Sequence, residues 1–216
     1  GSNLTGANLT GADLSGVTLA GSNLTSANLT DANLTDAAAN SANLTSATLT
    51  DANFTGANLA NATLTSATTT RANFTNADLT SVSAASTTFT DVTATGATFA
   101  YAGLTGSTIS GGTFTGANLM VAHFDNGTIT GADFTDAVML NATFTSATLA
   151  NTTLVRAGLT GAVFTSAVFT AATVAVPGST ATDADFAGAS FSKASLAGLI
   201  ATNATFDGAT FANTSA

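Results

Sequence analysis

A large apolar side chain returns every five residues. It stands at Leu4, Leu9, Leu14, Leu19, Leu24, Leu29 and Leu34, and the phase holds to Val174, giving 35 consecutive central positions. Only Ala39, Thr69, Ala84 and Ala94 depart from the large apolar type. All 14 Phe fall on a centre of this repeat or of its shifted continuation. Two residues before most centres lies a small residue, usually Ala, as at Ala7, Ala12, Ala27 and Ala32. A period of five fits neither regular element. On an α-helix five residues advance about 500°, so the apolar groups spiral and form no face. On a straight strand the odd spacing sends successive centres to opposite sides. The pattern is satisfied if each unit is a short extended segment followed by a corner. The centre and the small residue then point inward, and the residues flanking the centre point outward. The remaining position, often Gly, Ser, Asp or Asn, turns the chain.

Composition narrows the functional classes. The 216 residues include 12 acidic and three basic side chains and one His, for a net charge of −9. With 45% hydrophobic residues and a mean hydropathy of +0.37, charge-driven disorder is excluded. No apolar run approaches the roughly 18 residues of a membrane helix, so no membrane insertion is expected. The absence of Cys excludes disulfides, iron–sulfur clusters and Cys-ligated zinc. Three basic groups cannot form a general basic surface, so no direct nucleic-acid binding is expected.

The units Ala7–Gly11 (A-N-L-T-G), Ala12–Gly16 (A-D-L-S-G), Ala52–Gly56 (A-N-F-T-G) and Ala132–Asp136 (A-D-F-T-D) resemble the pentapeptide-repeat family, whose consensus is A-(D/N)-L-x-x. The resemblance covers essentially the whole chain. It implies an all-β fold, a right-handed quadrilateral parallel β-helix with four units per coil, hence about 10–11 coils of 20 residues and a rod roughly 50 Å long. The residues lend this lag their own support. Thr48, Thr68, Thr88, Thr108, Thr128 and Thr148 recur at intervals of 20. Arg71 has Asp51 and Asp91 one lag away on either side, and Arg156 has Asp136. Stacked coils bring such residues about 4.8 Å apart, within reach of ion pairing.

The phase breaks once, after Val174, at Ala175-Val176-Pro177-Gly178. Ser179–Asp183 reads as one degenerate unit centred on Ala181, which makes the insertion a two-residue bulge with Pro177 where no ladder donor is needed. The alternative is a seven-residue loop. Either way residues 1–216 are expected to form a single solenoid. The repeat is running by Leu4 and still running at Phe211, with no polar cap at either end. The expectation is a segment of a larger protein, or an end that pairs with another copy. Leu199 and Ile200 are apolar outside the expected centres and could cover the last coil.

Sorting the outward residues by a lag of 20 gives four faces. Over the six coils with centres from Leu44 to Leu159, each face has 12 flanking positions. Thr occupies 10 of them on the face centred on Leu49 to Leu149, 8 and 6 on two others, and 3 on the face centred on Leu59 to Leu159. The richest face carries Thr48, Thr50, Thr68, Thr70, Thr88, Thr90, Thr108, Ser110, Thr128, Thr130 and Thr148. This two-column array is similar in surface pattern to the T-x-T array of β-helical insect antifreeze proteins, which makes ice a candidate ligand. Thr is also simply a good exposed strand residue. The Thr-poor face is apolar: Met120 and Leu140 stack at one lag, with Val138 beside them and Tyr101 and Val121 on the neighbouring corner. Contiguous apolar groups of this kind mark a candidate surface for self-association or a partner.

Motifs for catalysis are weak. His123 and Asp125 flank Phe124 and project from one strand, but no second His and no Cys accompany them. Adjacent carboxylates such as Asp31 and Asp51 are a poor calcium site with Arg71 following. No phosphate-binding glycine loop occurs, and no cofactor is expected. The many N-x-T triplets follow from the repeat. Some pentapeptide-repeat proteins resemble duplex DNA in shape and charge and act on DNA gyrase, but 12 acids spread along the rod form no long anionic stripe. The leading expectation is a non-enzymatic structural or interaction solenoid. Its low charge and Thr/Asn-rich surface favour a secreted or cell-surface location.

Overall fold

The computed structural model describes residues 1–174 and 179–215. Every fifth residue turns a corner, and each such residue from Gly6 to Ala171 and from Asp183 to Asn213 has φ between +52° and +80°. The preceding residue keeps an ordinary φ, and at most corners the amide of the next small residue donates back to the centre carbonyl, as in Ala27 N to Leu24 O at 2.9 Å; after the three-residue strands, as at Asp91 and Gly111, that bond is absent. The hydrogen-bonded form is a type II turn, whose third position favours Gly and Asn. Ser, Asp and Asn fill most of the corners that Gly does not. Bulky residues occupy it at Tyr101 and β-branched Val121, with φ of 61° and 58°, where the left-handed region costs about 1–2 kcal/mol each.

Between corners the backbone pairs with the coil below. In one unit Leu24 N donates to Asn43 O at 2.7 Å and Ser26 N to Thr45 O at 2.9 Å; in return Asn43 N donates to Ser22 O at 2.8 Å. Repetition gives four parallel ladders. One runs from Asn3 through Asn23 and Asn43 to Thr205, another from Thr18 through Ala38 to Ile200, so the solenoid has 10–11 coils. The residue spacing between paired levels is 20 up to Thr153–Thr173, 22 across the one coil that spans the insertion (Gly158–Thr180 to Thr173–Ser195), and 20 again from Thr180–Ile200. The two extra residues match the bulge rather than the seven-residue loop, because Ala181 is a buried centre and Ser179 a buried small-position residue donating to Leu154 O at 2.9 Å. Residues 175–178, which include Pro177, lie outside the described residues.

The ladder is regular enough to form three-residue strands on one face: β1 (Thr88–Thr90), β2 (Thr108–Ser110), β3 (Thr128–Thr130), β4 (Thr148–Ala150), β5 (Val168–Thr170) and β6 (Ser190–Ser192). They make one parallel sheet in chain order.

Inside, the centres stack in files. Phe124, Phe144, Phe164, Phe186 and Phe206 form one column, with successive ring centroids 4.7–5.0 Å apart and planes within 10°. The coil spacing thus sets the stacking distance, and each pair adds about 0.5–1.5 kcal/mol beyond burial. Ala at the companion position keeps the tube narrow. Polar intruders find carbonyls: Thr69 Oγ1 donates to Thr88 O at 3.0 Å and Thr87 Oγ1 to Leu64 O at 2.6 Å. Ser107 Oγ alone is buried without a partner among the described residues.

Two substitutions separate these contributions. Phe144→Ala opens a void within the ring stack and is expected to cost about 3–5 kcal/mol in denaturant unfolding. Ser107→Ala removes a hydroxyl that gains nothing from burial and is expected to leave the midpoint unchanged or raise it. A clear loss of stability in Ser107→Ala contradicts this assignment.

Candidate functional site

The threonine-rich face is the one whose strands pair over three residues, in a single parallel sheet. Thr88, Thr108, Thr128 and Thr148 align in one file, and Thr90, Ser110, Thr130 and Ala150 in the other. Thr48 and Thr68 extend the first file upward through single paired positions. The files repeat about every 4.8 Å along the axis and lie about 6.7 Å apart across the strand. Thr108, Ser110 and Thr128 are exposed; Thr48, Thr50, Thr70, Thr88, Thr90, Thr130 and Thr148 are half-buried by their neighbours, and Thr68 is exposed. No charged side chain flanks a centre on this face.

The backbone explains why the outward residues differ in chemistry. Four of the five amides in a unit are bonded to backbone carbonyls. The fifth, on the residue after the centre, is paired to the coil above in the three-residue strands, as at Ser110, Thr130 and Ala150. In most units it points outward and finds no backbone acceptor. Asn or Asp before the centre supplies one. Asn53 Oδ1 accepts from Thr55 N at 3.1 Å and from Thr55 Oγ1 at 2.6 Å, and Asn73 holds Thr75 in the same way. On that neighbouring face Asn53 Nδ2 also donates to Thr35 Oγ1 at 2.9 Å, and Asn73 Nδ2 to Thr55 Oγ1 at 3.0 Å. Its polar groups are largely spent on each other. On the threonine face none of the hydroxyls from Thr48 to Thr148 has a hydrogen-bond partner among the described residues, so they are left for solvent. The A-N-L-T pattern was legible in the sequence, but this division of hydroxyls into spent and free was not, since it depends on which group the Asn oxygen can reach.

The apolar group lies on the face after next and its corner. Tyr101, Val138 and Leu140 are 54%, 39% and 37% exposed, while Met120 and Val121 are half-buried. Tyr101 N donates to Met120 O, and Val121 N to Leu140 O, which ties the five residues into adjacent coils.

His123 and Asp125 do project from one strand, but Thr143 of the coil below stands between them. Thr143 Oγ1 donates to Asp125 Oδ2 at 2.7 Å and lies 3.0 Å from His123 Nδ1. With that hydroxyl proton given to Asp125, His123 Nδ1 must be the donor in its own contact. Thr145 N completes the carboxylate's shell at 2.7 Å. The group is exposed, and no cavity or cluster of three metal-ligating side chains forms among the described residues.

The ion pairs follow the lag of 20. Arg71 is bidentate to Asp51, with Nε–Oδ1 at 2.7 Å and Nη2–Oδ2 at 2.6 Å; Arg156 binds Asp136 likewise at 2.6 and 2.5 Å. Of its two neighbours Arg71 bonds only Asp51, because side chains in one column can lean either way and a planar fork fits one carboxylate at a time. The Arg71 and Arg156 hydrogen bonds hold the carboxyls of Asp51 and Asp136 below their usual value.

Comparison with known proteins gives the fold a context. A family model described as pentapeptide repeats matches in eight copies, over residues 2–37, 42–80, 70–111, 104–141 and 181–215. Among solved structures, the chain is similar to HetL, a pentapeptide repeat protein involved in heterocyst differentiation regulation from the cyanobacterium Nostoc sp. strain PCC 7120. The identity is 24%, over 94% of this chain and 87% of that one, with a TM-score of 0.76. Weaker likenesses are to trypsin-treated QnrB1, a plasmid-mediated fluoroquinolone resistance protein (15% identity, 95% and 89% coverage, TM-score 0.45), and to Rfr23 from the cyanobacterium Cyanothece 51142 (19%, 49% and 64%, TM-score 0.33). No curated protein matches.

The ion pairs yield a pH prediction. Folding lowers the Asp51 and Asp136 pKa values, so the pairs stabilise the protein above the unfolded value of about 3.9 and cease to as pH falls through the folded value. Arg71→Ala is expected to lower the thermal midpoint slightly at pH 7 and to converge with wild type once the pH falls below the lowered folded value of Asp51. A difference that persists unchanged into acid contradicts the pairing.

Proposed function

The chain belongs to the pentapeptide-repeat family, and we propose that it is a non-enzymatic interaction solenoid that acts through its outer faces. The observation that carries this reading is the filled interior. Leu, Phe and Ala close the tube completely, so side chains that can meet a ligand stand only on the outside. The His123–Thr143–Asp125 group is the arrangement nearest to catalytic chemistry. It lies on an open strand, with no wall to exclude water or hold a substrate. Generic ester, phosphate and peptide substrates are expected to show no turnover above buffer. Turnover that His123→Ala abolishes would overturn the reading.

A second, more specific reading is favoured by one surface. The threonine sheet is uncharged and periodic, and its hydroxyls are unspent within the protein. Such a grid suits a neutral, ordered ligand, and water at an ice surface is the ligand whose chemistry it matches. Free hydroxyls take part in the water lattice, and the intervening methyls limit competing hydration. An anionic mimic of DNA draws less support, since Arg71 and Arg156 neutralise two of the carboxylates.

The wild-type protein is expected to shape growing ice crystals and to produce thermal hysteresis. Thr108→Tyr, a bulky change in the exposed middle of the sheet, is expected to abolish both while leaving the circular dichroism spectrum intact. Unaltered ice growth in the presence of wild-type protein contradicts the ice reading and leaves the interaction solenoid to be judged by the turnover assay.

A further inference from the structure

The residue before each centre decides whether the hydroxyl after it is available to a ligand. On the threonine face the top two coils differ from those below. Asn8 Oδ1 accepts from Thr10 N at 3.2 Å and Thr10 Oγ1 at 2.7 Å, and Asn28 Oδ1 accepts from Thr30 N at 3.1 Å and Thr30 Oγ1 at 2.7 Å. From Thr48 to Thr148 the same position holds Thr, which has no carbonyl-type oxygen to present. Thr50 and Thr70 then keep both their hydroxyl and their outward amide free of protein partners among the described residues. Thr10 and Thr30 therefore look like members of the grid in sequence, yet their donors are committed internally.

We propose that Asn against Thr before the centre is the specificity switch of this face, and that its ligand-binding area is confined to the coils from Thr48 to Thr148, with the Asn8 and Asn28 coils silent. The inference rests on the ice reading above for the identity of the ligand, and on the hydrogen bonds alone for the switch. A hydroxyl that donates to a fixed amide oxygen is held in one rotamer and can only accept from outside. A hydroxyl without that partner can reorient to donate or accept, as a lattice of waters requires. In the Thr50, Thr70 and Thr90 units the outward amide adds a second donor, whereas those of Ser110 and Thr130 are paired in the strands. The switch also keeps the protein's polarity nearly constant, so it separates hydrogen-bond availability from hydrophilicity.

Two measurements test it. In amide hydrogen exchange, the Thr30 amide is expected to exchange roughly 2–10-fold faster in Asn28→Thr than in wild type, as loss of one net hydrogen bond allows. Equal rates would overturn the capture. In ice shaping and thermal hysteresis, Asn28→Thr is expected to raise activity by extending the grid, and Thr88→Asn to lower it by capturing Thr90. The same change on the neighbouring face, Asn53→Thr, is expected to have no effect. If Thr88→Asn matches wild type while Thr108→Tyr is inactive, the switch is wrong and the ice reading stands. If wild type itself leaves ice unaffected, the ice reading fails together with the proposed ligand, and the exchange rates still decide the capture.

Discussion

Everything in this molecule depends on the register of the backbone ladder between coils. Each unit donates amides from its centre and its corner to the coil below, and receives one bond in return at the residue before the centre. That register fixes the rise of the coils, which sets the ring spacing inside and the threonine spacing outside. The corner every fifth residue makes the ladder possible, because a residue at positive φ at that interval returns the chain to the same side with its inward positions aligned. The strain of a side chain at positive φ, most evident at Val121 and Tyr101, is offset by the bonds the turn brings into place.

Interior and exterior then obey different rules. The interior tolerates little, since a narrow tube with Ala at most companion positions leaves room for one large group per unit. Thr69, Thr87 and Ser179 are accommodated because a carbonyl lies within reach, and Ser107 is accommodated without one. The exterior is constrained chiefly by the amide after the centre, which in most units has no backbone acceptor. Asn and Asp satisfy it locally and spend the adjacent hydroxyl in doing so. Thr leaves it open. A surface of one scaffold can thus be made self-contained or ligand-ready by a single position, without disturbing the core.

Much of this was legible in the residues. The five-residue period gave the core positions and the corners, and the lag of 20 placed Arg71 beside Asp51 and Arg156 beside Asp136. The two-residue insertion was visible in Ser179–Asp183, and the register change from 20 to 22 agrees with it. Other features were hidden because they depend on side-chain reach rather than pattern. The preference of Arg71 for Asp51 over Asp91, the bridging of His123 and Asp125 by Thr143 from the next coil, and the capture of Thr10 and Thr30 by Asn are of this kind. Three-residue strands form only from Thr88 onward, although the T-x-T pattern begins at Thr48. Earlier coils pair at a single residue, with Thr50 and Thr70 already in the turn.

The most direct test of the central claim, that the threonine sheet presents free hydroxyls in a regular grid, is the position of ordered water in a high-resolution crystal. The account predicts files of waters between the Thr88–Thr148 and Thr90–Thr130 columns, repeating with the coils about every 4.8 Å and hydrogen-bonded to both. Hydroxyls turned onto protein acceptors, with waters following no coil repeat, would contradict it.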